Sequence, residues 1–320
     1  MKHALLLVSA TLLARSGQQD LGDAPPPPNV SGLLATAPLD AAPREQIRQA
    51  LQRRDYKQAG SLLAKQIEAA PDSPGLLTLA GRILLLDKDP LNAAIAFKRA
   101  ERFAPLEAQD RFSLALALTG IRRGDLARAE FAKLAAADPD NVVYQYWLGR
   151  LDYDDQLYDS AVQRLRKVTA AKPGFARGWD NLALSLEGLG QLEEAVKCYE
   201  KAVDLNRSQK PPSPWPPLNQ GTLLTRLGRL DEADKLLREA VQYNEKLALA
   251  HHRLGANLKR QGRDAEAVAE LRRATELAPS DPGPFYLLGQ IYTGQGNKTA
   301  AEEAYARFRT LKKAQRGAEN

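Results

Sequence analysis

The sequence predicts an all-α solenoid of eight helix-turn-helix repeats, and three observations predict it. From about residue 40 the chain repeats with a period of 34 residues. A small residue recurs at two fixed places in that period, with a larger apolar residue four positions after the second. Prolines close five of the copies, and no stretch sustains the period-two alternation of a half-buried strand. A fixed period of this length marks stacked supersecondary units and outranks any local reading.

In chain order, the first element is an address. Met1-Lys2-His3 is a short basic start, and Ala4–Ala14 is an apolar run of eleven residues. That run is too short to cross a bilayer but suits the core of a secretory signal. Ala14, Ser16 and Gly17 place cleavage nearby, although Leu12 stands where a small residue belongs for a cut at Ala14. No cysteine follows the run, which excludes a lipoprotein anchor; the competing reading is a buried amphipathic helix. Residues 1–16 are thus expected to be a signal peptide, and 17–39, with Pro25–Pro28, an extended solvated linker. The expected location is periplasmic or extracellular, with no membrane span after signal removal.

The repeats follow. Ala59, Ala93, Ala127, Ala161 and Ala195 stand at 34-residue steps, and after a four-residue shift the series resumes at Ala233, Ala267 and Ala301. Twelve residues earlier stand Gly81, Ala115, Gly149, Ala183, Gly221, Gly255 and Gly289, with Ile47 the departure in the first copy. Four residues after each alanine comes Leu63, Phe97, Phe131, Leu165, Tyr199, Leu237, Leu271 or Tyr305. A small residue on each helix lets paired backbones approach, and the larger one fills the space beside them. Pro71, Pro105, Pro139, Pro173 and Pro279 end second helices, because proline lacks an N–H and clashes with the preceding turn. Gly188-Leu189-Gly190-Gln191 and Gln261-Gly262-Arg263 are typical of the turns between paired helices. One pair cannot bury its apolar face alone, so neighbouring pairs must stack. The copies are 40–73, 74–107, 108–141, 142–175, 176–209, 214–247, 248–281 and 282–315, with a degenerate first copy as cap and a polar tail at 316–320.

These copies resemble tetratricopeptide repeats. The fifth reads Trp179, Leu182-Ala183, Leu186, Ala195, Tyr199 and Ala202, departing at Arg207 where proline is usual. The seventh reads His251, Leu254-Gly255, Leu258, Ala267, Leu271, Ala274 and Pro279. The resemblance implies a right-handed superhelical solenoid whose first helices line a concave groove. It also implies a non-catalytic scaffold or adaptor for a protein or peptide, and it leaves the partner's identity open. Carried onto this chain, the groove positions are Tyr146, Trp147, Arg150 and Tyr153, then Arg177, Asp180 and Asn181. Trp215, Asn219 and Thr222 continue them, followed by His252, Arg253 and Lys259, then Tyr286 and Gln290.

Asn181 and Asn219 hold equivalent places in consecutive copies, Arg253 holds that place in the next, and Trp147 one copy earlier. Two readings stand: amides that grip an extended peptide backbone beside a cation for a carboxylate, or ordinary solvated polar residues. Asp180, Leu184 and Leu249 stand where a dicarboxylate clamp needs cations or amides. Lys210-Pro211-Pro212-Ser213-Pro214-Trp215-Pro216-Pro217 interrupts the array, as a loop insertion or as a joint with Trp215 exposed; the next helix is expected to begin at about Pro216.

Composition and motifs exclude other classes. A net charge of +6 from 45 basic and 39 acidic residues, interleaved along the chain, fits solvated helix faces and predicts no nucleic-acid partner. Cys198 is the single cysteine, which precludes an intramolecular disulfide, and it reads as an inert, partly buried thiol. His251 and His252 are adjacent on one helix, about 100° apart, and cannot chelate one metal as an i,i+4 pair would. Gly294-Gln295-Gly296-Asn297-Lys298-Thr299 lacks the spacing and preceding strand of a phosphate loop and reads as a turn. No enzyme activity, metal or cofactor is expected. Two alternatives remain: a structural assembly subunit of an envelope or secretion complex, or an auxiliary subunit of a glycan-modifying enzyme.

Overall fold

A computed structural model describes residues 30–318. The expected signal peptide and its cleavage site lie outside the described residues. Seventeen α-helices and no strand make up the described chain. None of these helices is long and apolar enough to cross a membrane. The chain divides into two compact units, meeting between Arg164 and Leu165 and not at the Pro-rich insertion.

Unit 1 begins with α1 (Val30–Thr36) and continues through α2 (Ala41–Gln52), α3 (Tyr56–Ala69), α4 (Pro74–Leu86) and α5 (Pro90–Glu101). It goes on with α6 (Ala108–Gly120), α7 (Gly124–Ala137), α8 (Val142–Asp154) and the start of α9 (Tyr158–Ala171). Unit 2 holds the rest of α9, then α10 (Ala176–Gly188), α11 (Leu192–Arg207), α12 (Trp215–Leu227) and α13 (Leu230–Tyr243). It ends with α14 (Ala248–Arg260), α15 (Asp264–Leu277), α16 (Pro282–Gly294) and α17 (Lys298–Ala318). Helix α12 starts at Trp215, within a residue of the expected start, whereas α17 carries the supposed polar tail on as helix to Ala318.

Residues 30–39 correct the linker expectation. Val30 and Leu34 lie one helical turn apart on α1 and, with Ala37 and Leu39, are buried in a core with Ile47, Leu63, Leu76, Leu79 and Ile83. The Arg44 guanidinium donates to the carbonyls of Ala37 and Leu39 at 3.0 and 2.7 Å. An end repeat leaves one apolar face without a neighbour, and α1 covers it. The part of the expected linker before Val30 lies outside the described residues.

Local chemistry explains the helix ends. Asp55 and Asp89 cap α3 and α5 by accepting from the N–H of Gln58 and Asn92 at 3.0 and 3.1 Å. Prolines occupy the first turn of α4, α5, α12 and α16, where a missing N–H costs nothing. The turn between paired helices needs a left-handed residue. In copies five to eight it is glycine, Gly190, Gly228, Gly262 and Gly296, at φ 74 to 81°. In copies one to four it is Arg54, Lys88, Arg122 and Gln156, at φ 58 to 62°.

The small-against-large register is visible atom by atom. A Cβ placed on Gly81 would stand 2.7 Å from the Phe97 ring, and one on Gly255 would stand 2.7 Å from Leu271. Such distances lie inside van der Waals contact, so glycine sets how closely these pairs pack. Ala93, Ala127, Ala195, Ala233 and Ala267 have no exposed surface.

Candidate functional site

The first helices of unit 2 present the expected groove positions, but they do so unevenly. Asn219, on α12, is 3% exposed, and its amide donates to both carboxylate oxygens of Asp180 on α10, at 2.9 and 3.0 Å. Asn181 is 8% exposed and donates to the Arg177 carbonyl one turn earlier, at 3.0 Å. The asparagine stripe is therefore a set of internal hydrogen bonds, and the grip expected of it is corrected. The reason is steric: α12 packs on α10, and that packing spends the Asn219 amide on the protein itself.

Three further expected positions are buried in unit 1. Trp147 stacks on Phe131, with ring centroids 5.6 Å apart and planes 4° from parallel, and Tyr146 meets it edge-on at 5.7 Å. The Arg150 guanidinium lies 5.0 Å over the Trp147 ring. Tyr146, Trp147 and Arg150 are each about 5% exposed or less, so an open aromatic platform there is corrected to core packing. An aromatic on the first helix finds the large residue of the preceding copy before it finds solvent. Tyr153 is half-buried and packs against Tyr158 with centroids 5.7 Å apart.

Trp215 is half-buried at the start of α12. The insertion before it is stitched to α11 by Asn206, whose amide donates to the Ser213 carbonyl and whose oxygen accepts the Ser213 N–H, at 2.8 and 2.9 Å. Asn206 is 1% exposed, which makes this a folded loop. Sequence reading passed over Asn206, since a polar residue at a helix end is ordinarily solvated.

The remaining expected positions stay accessible. Arg177, Thr222, His252, Arg253, Lys259 and Gln290 are half-buried, and Tyr286 is 42% exposed beside Phe308, with centroids 5.2 Å apart. Charged residues that sequence reading did not single out align the C-terminal ends of these helices. Arg226 of α12 pairs with Glu187 of α10, and Arg260 of α14 donates to the Thr225 carbonyl of α12. These contacts set the ends of α10, α12 and α14 side by side, with Arg226, Lys259 and Arg260 on them. The surface is mainly cationic, with Glu187 as its countercharge. A 34-residue alignment of positions would have found this row, because Arg226 and Arg260 share one place in the repeat.

His251 and His252 divide between core and surface. His251 is 6% exposed; its Nδ1 lies 2.6 Å from a Glu270 carboxylate oxygen and its Nε2 lies 3.0 Å from the Glu245 carbonyl. The Glu270 hydrogen bond outweighs burial and raises the His251 pKa above its ordinary value. His252 faces Asp281, with Nδ1 to oxygen 3.6 Å. Burial works against ionisation of Asp281, but the nearby His252 ring and the Gly283 N–H, which donates to it at 2.9 Å, hold its carboxyl below the usual range. Cys198 is buried and its thiol is pushed up to about 11, mainly by burial and further by Glu194.

Known proteins share this architecture. Family models described as tetratricopeptide repeat match residues 176–208, 219–253 and 284–313, and one described as TPR repeat matches 257–296. Tetratricopeptide repeat protein 7B of Homo sapiens is 33% identical over 103 residues, which are 32% of this chain and 12% of that protein. Cytochrome c-type biogenesis protein CycH of Rhizobium meliloti is 30% identical over 126 residues, 38% of this chain and 32% of CycH. The chain thus spans about a third or less of the length of these relatives. A solved tetratricopeptide repeat protein from Parabacteroides merdae superposes with a TM-score of 0.65 at 17% identity, covering 78% of this chain and 97% of that one. Yeast Tom70 gives 0.58 at 18% identity, covering 90% and 70%. At these identities the likeness is one of fold. Helix pairs at a 34-residue period, glycine-against-large-residue contacts and four matching repeat models agree, and the chain belongs to the tetratricopeptide repeat proteins.

Proposed function

We propose that this chain is a non-catalytic scaffold that holds an extended segment of a protein partner on the first-helix face of unit 2. The observation that carries this reading is the accessible set His252, Arg253, Lys259, Tyr286 and Gln290, on two consecutive first helices. Cations at Arg226, Lys259 and Arg260 favour a partner segment with carboxylates, and Tyr286 offers an apolar face with a polar tip. The buried Asn219 contributes by tying α12 to α10 rather than by touching the partner. Export to the periplasm or exterior belongs to the same reading and rests on the Ala4–Ala14 run. N-terminal sequencing from the native host tests that part; an intact Met1 removes it.

A photo-crosslinking residue at Gln290, used in the native host, should capture the partner. Lys259→Ala with Tyr286→Ala should then weaken its binding about ten-fold or more, with the melting temperature nearly unchanged. Alanines at Lys197 and Glu200, on the second-helix face, should leave binding intact. The reverse pattern would replace this reading with that of an assembly subunit packed through its second helices.

A further inference from the structure

We infer that the first-helix face of copies one and two is a second segment-binding site, which residues 30–39 fill as an internal ligand. The site lies in unit 1 and does not rest on the reading given for unit 2. Helix α1 stands outside the repeats, yet it packs against α2 and α4, the first helices of these two copies.

Three places that the repeat register puts on the groove meet this segment. Leu79 of α4 holds the place of Trp147, Asn181, Asn219 and Arg253. It is fully buried, in one core with Val30 and Leu34. Gly75 holds the place of Arg177 and Trp215, and a Cβ on it would stand 3.3 Å from Pro38 Cδ. Arg44 of α2 holds the place of Tyr146, Asp180, His252 and Tyr286. Its guanidinium donates to the Ala37 and Leu39 carbonyls, so a groove-position cation grips the main chain of the segment.

The occupant defines the ligand class. Residues 30–39 read Val-Ser-Gly-Leu-Leu-Ala-Thr-Ala-Pro-Leu and carry no charge. Val30 and Leu34 share one side of α1, and Ala37 and Leu39 continue the buried line beyond it. Ser31, Gly32, Ala35 and Thr36 are exposed. The site therefore takes an uncharged segment with aliphatic residues one helical turn apart, followed by carbonyls that Arg44 can reach. A helix of seven residues with glycine at its third position does not sustain itself, so its contacts with α2 and α4 keep it formed. It belongs to no helix pair, and a partner segment of the same pattern can take its place. Such a partner competes against a tether of four residues, Ala37–Asp40, which holds α1 at an effective concentration of about millimolar.

The test uses the full chain and a labelled synthetic peptide of residues 29–40. Val30→Asp with Leu34→Asp should free the site, and the freed chain should bind the peptide about ten-fold more tightly than wild type, or better. A peptide carrying Leu34→Asp should not bind the freed chain. Leu79→Asn, the residue type of copies five and six at that place, should weaken peptide binding by the freed chain about ten-fold. Lys259→Ala with Tyr286→Ala should leave it unchanged, so the sites of the two units fail separately. Hydrogen exchange of the wild-type chain gives a reading without substitutions: amides of α1 should exchange ahead of those of α2 and α4. Exchange of α1 in step with α2, or loss of helix content in the freed chain, would make α1 a structural part of the cap and overturn the proposal. Equal binding by the wild-type and freed chains, equal binding of the two peptides, or no binding by the freed chain would overturn it as well. So would an unchanged affinity on Leu79→Asn or a loss on the unit 2 substitutions, either of which puts the peptide elsewhere.

Discussion

His251 is held at both ring nitrogens by acceptors, a carboxylate and a backbone carbonyl, and only the imidazolium can donate to both. Its raised pKa is a statement about stability. A group whose folded pKa lies above its unfolded value contributes fully below the unfolded value and loses that contribution as pH rises through the folded one. The His251 contribution should thus be whole below pH 6.5 and decline above it. Thermal melts of wild type and His251→Gln across this window check the sign: their difference should shrink as pH rises, and a constant difference would exclude the imidazolium. Asn219 makes a second residue-scale case. Removing its amide withdraws a donor from buried Asp180, so Asn219→Ala should cost about 1–3 kcal/mol of stability. Denaturant unfolding measures it, and a loss near zero would return Asn219 to the list of groove residues.

At the scale of the element, the turns of the two units solve one backbone problem differently. A left-handed residue must follow each first helix, and side-chain-bearing residues adopt that conformation at a cost that glycine avoids. Lys88 at φ 61° is exposed, so Lys88→Gly should stabilise by about 1 kcal/mol, while Gly262→Lys, at φ 75°, should destabilise by a similar amount. Melting temperatures of the two variants read the opposite signs. The glycine turns at Gly190 and Gly262 were legible in the sequence. Arg54, Lys88, Arg122 and Gln156 were not, because nothing in a long polar side chain announces a positive φ. Helix α1 escaped for a related reason: the proline tract before it reads as solvated, and Val30 and Leu34 become a signal only when the uncovered face of the cap is known to need them.

Across the whole molecule, an array in which each pair touches its neighbours should fail locally. Ala195 has no exposed surface. Ala195→Leu should cost about 1–3 kcal/mol by overpacking and strip amide protection from copies five and six before it reaches copy eight. Hydrogen exchange resolves the order, and uniform loss along the chain would contradict it. The sequence by itself determined the repeat, its helix pairs and their small-against-large register, because these depend on residues within one period or the next. Tertiary structure alone decided which first-helix residues meet solvent. Trp147 and Asn219 have the composition of a binding face, yet Phe131 lies across one and Asp180 takes the amide of the other, 39 residues away in sequence. Exposure is set by whichever side chain packs against a position, and the period that names the position does not name that neighbour.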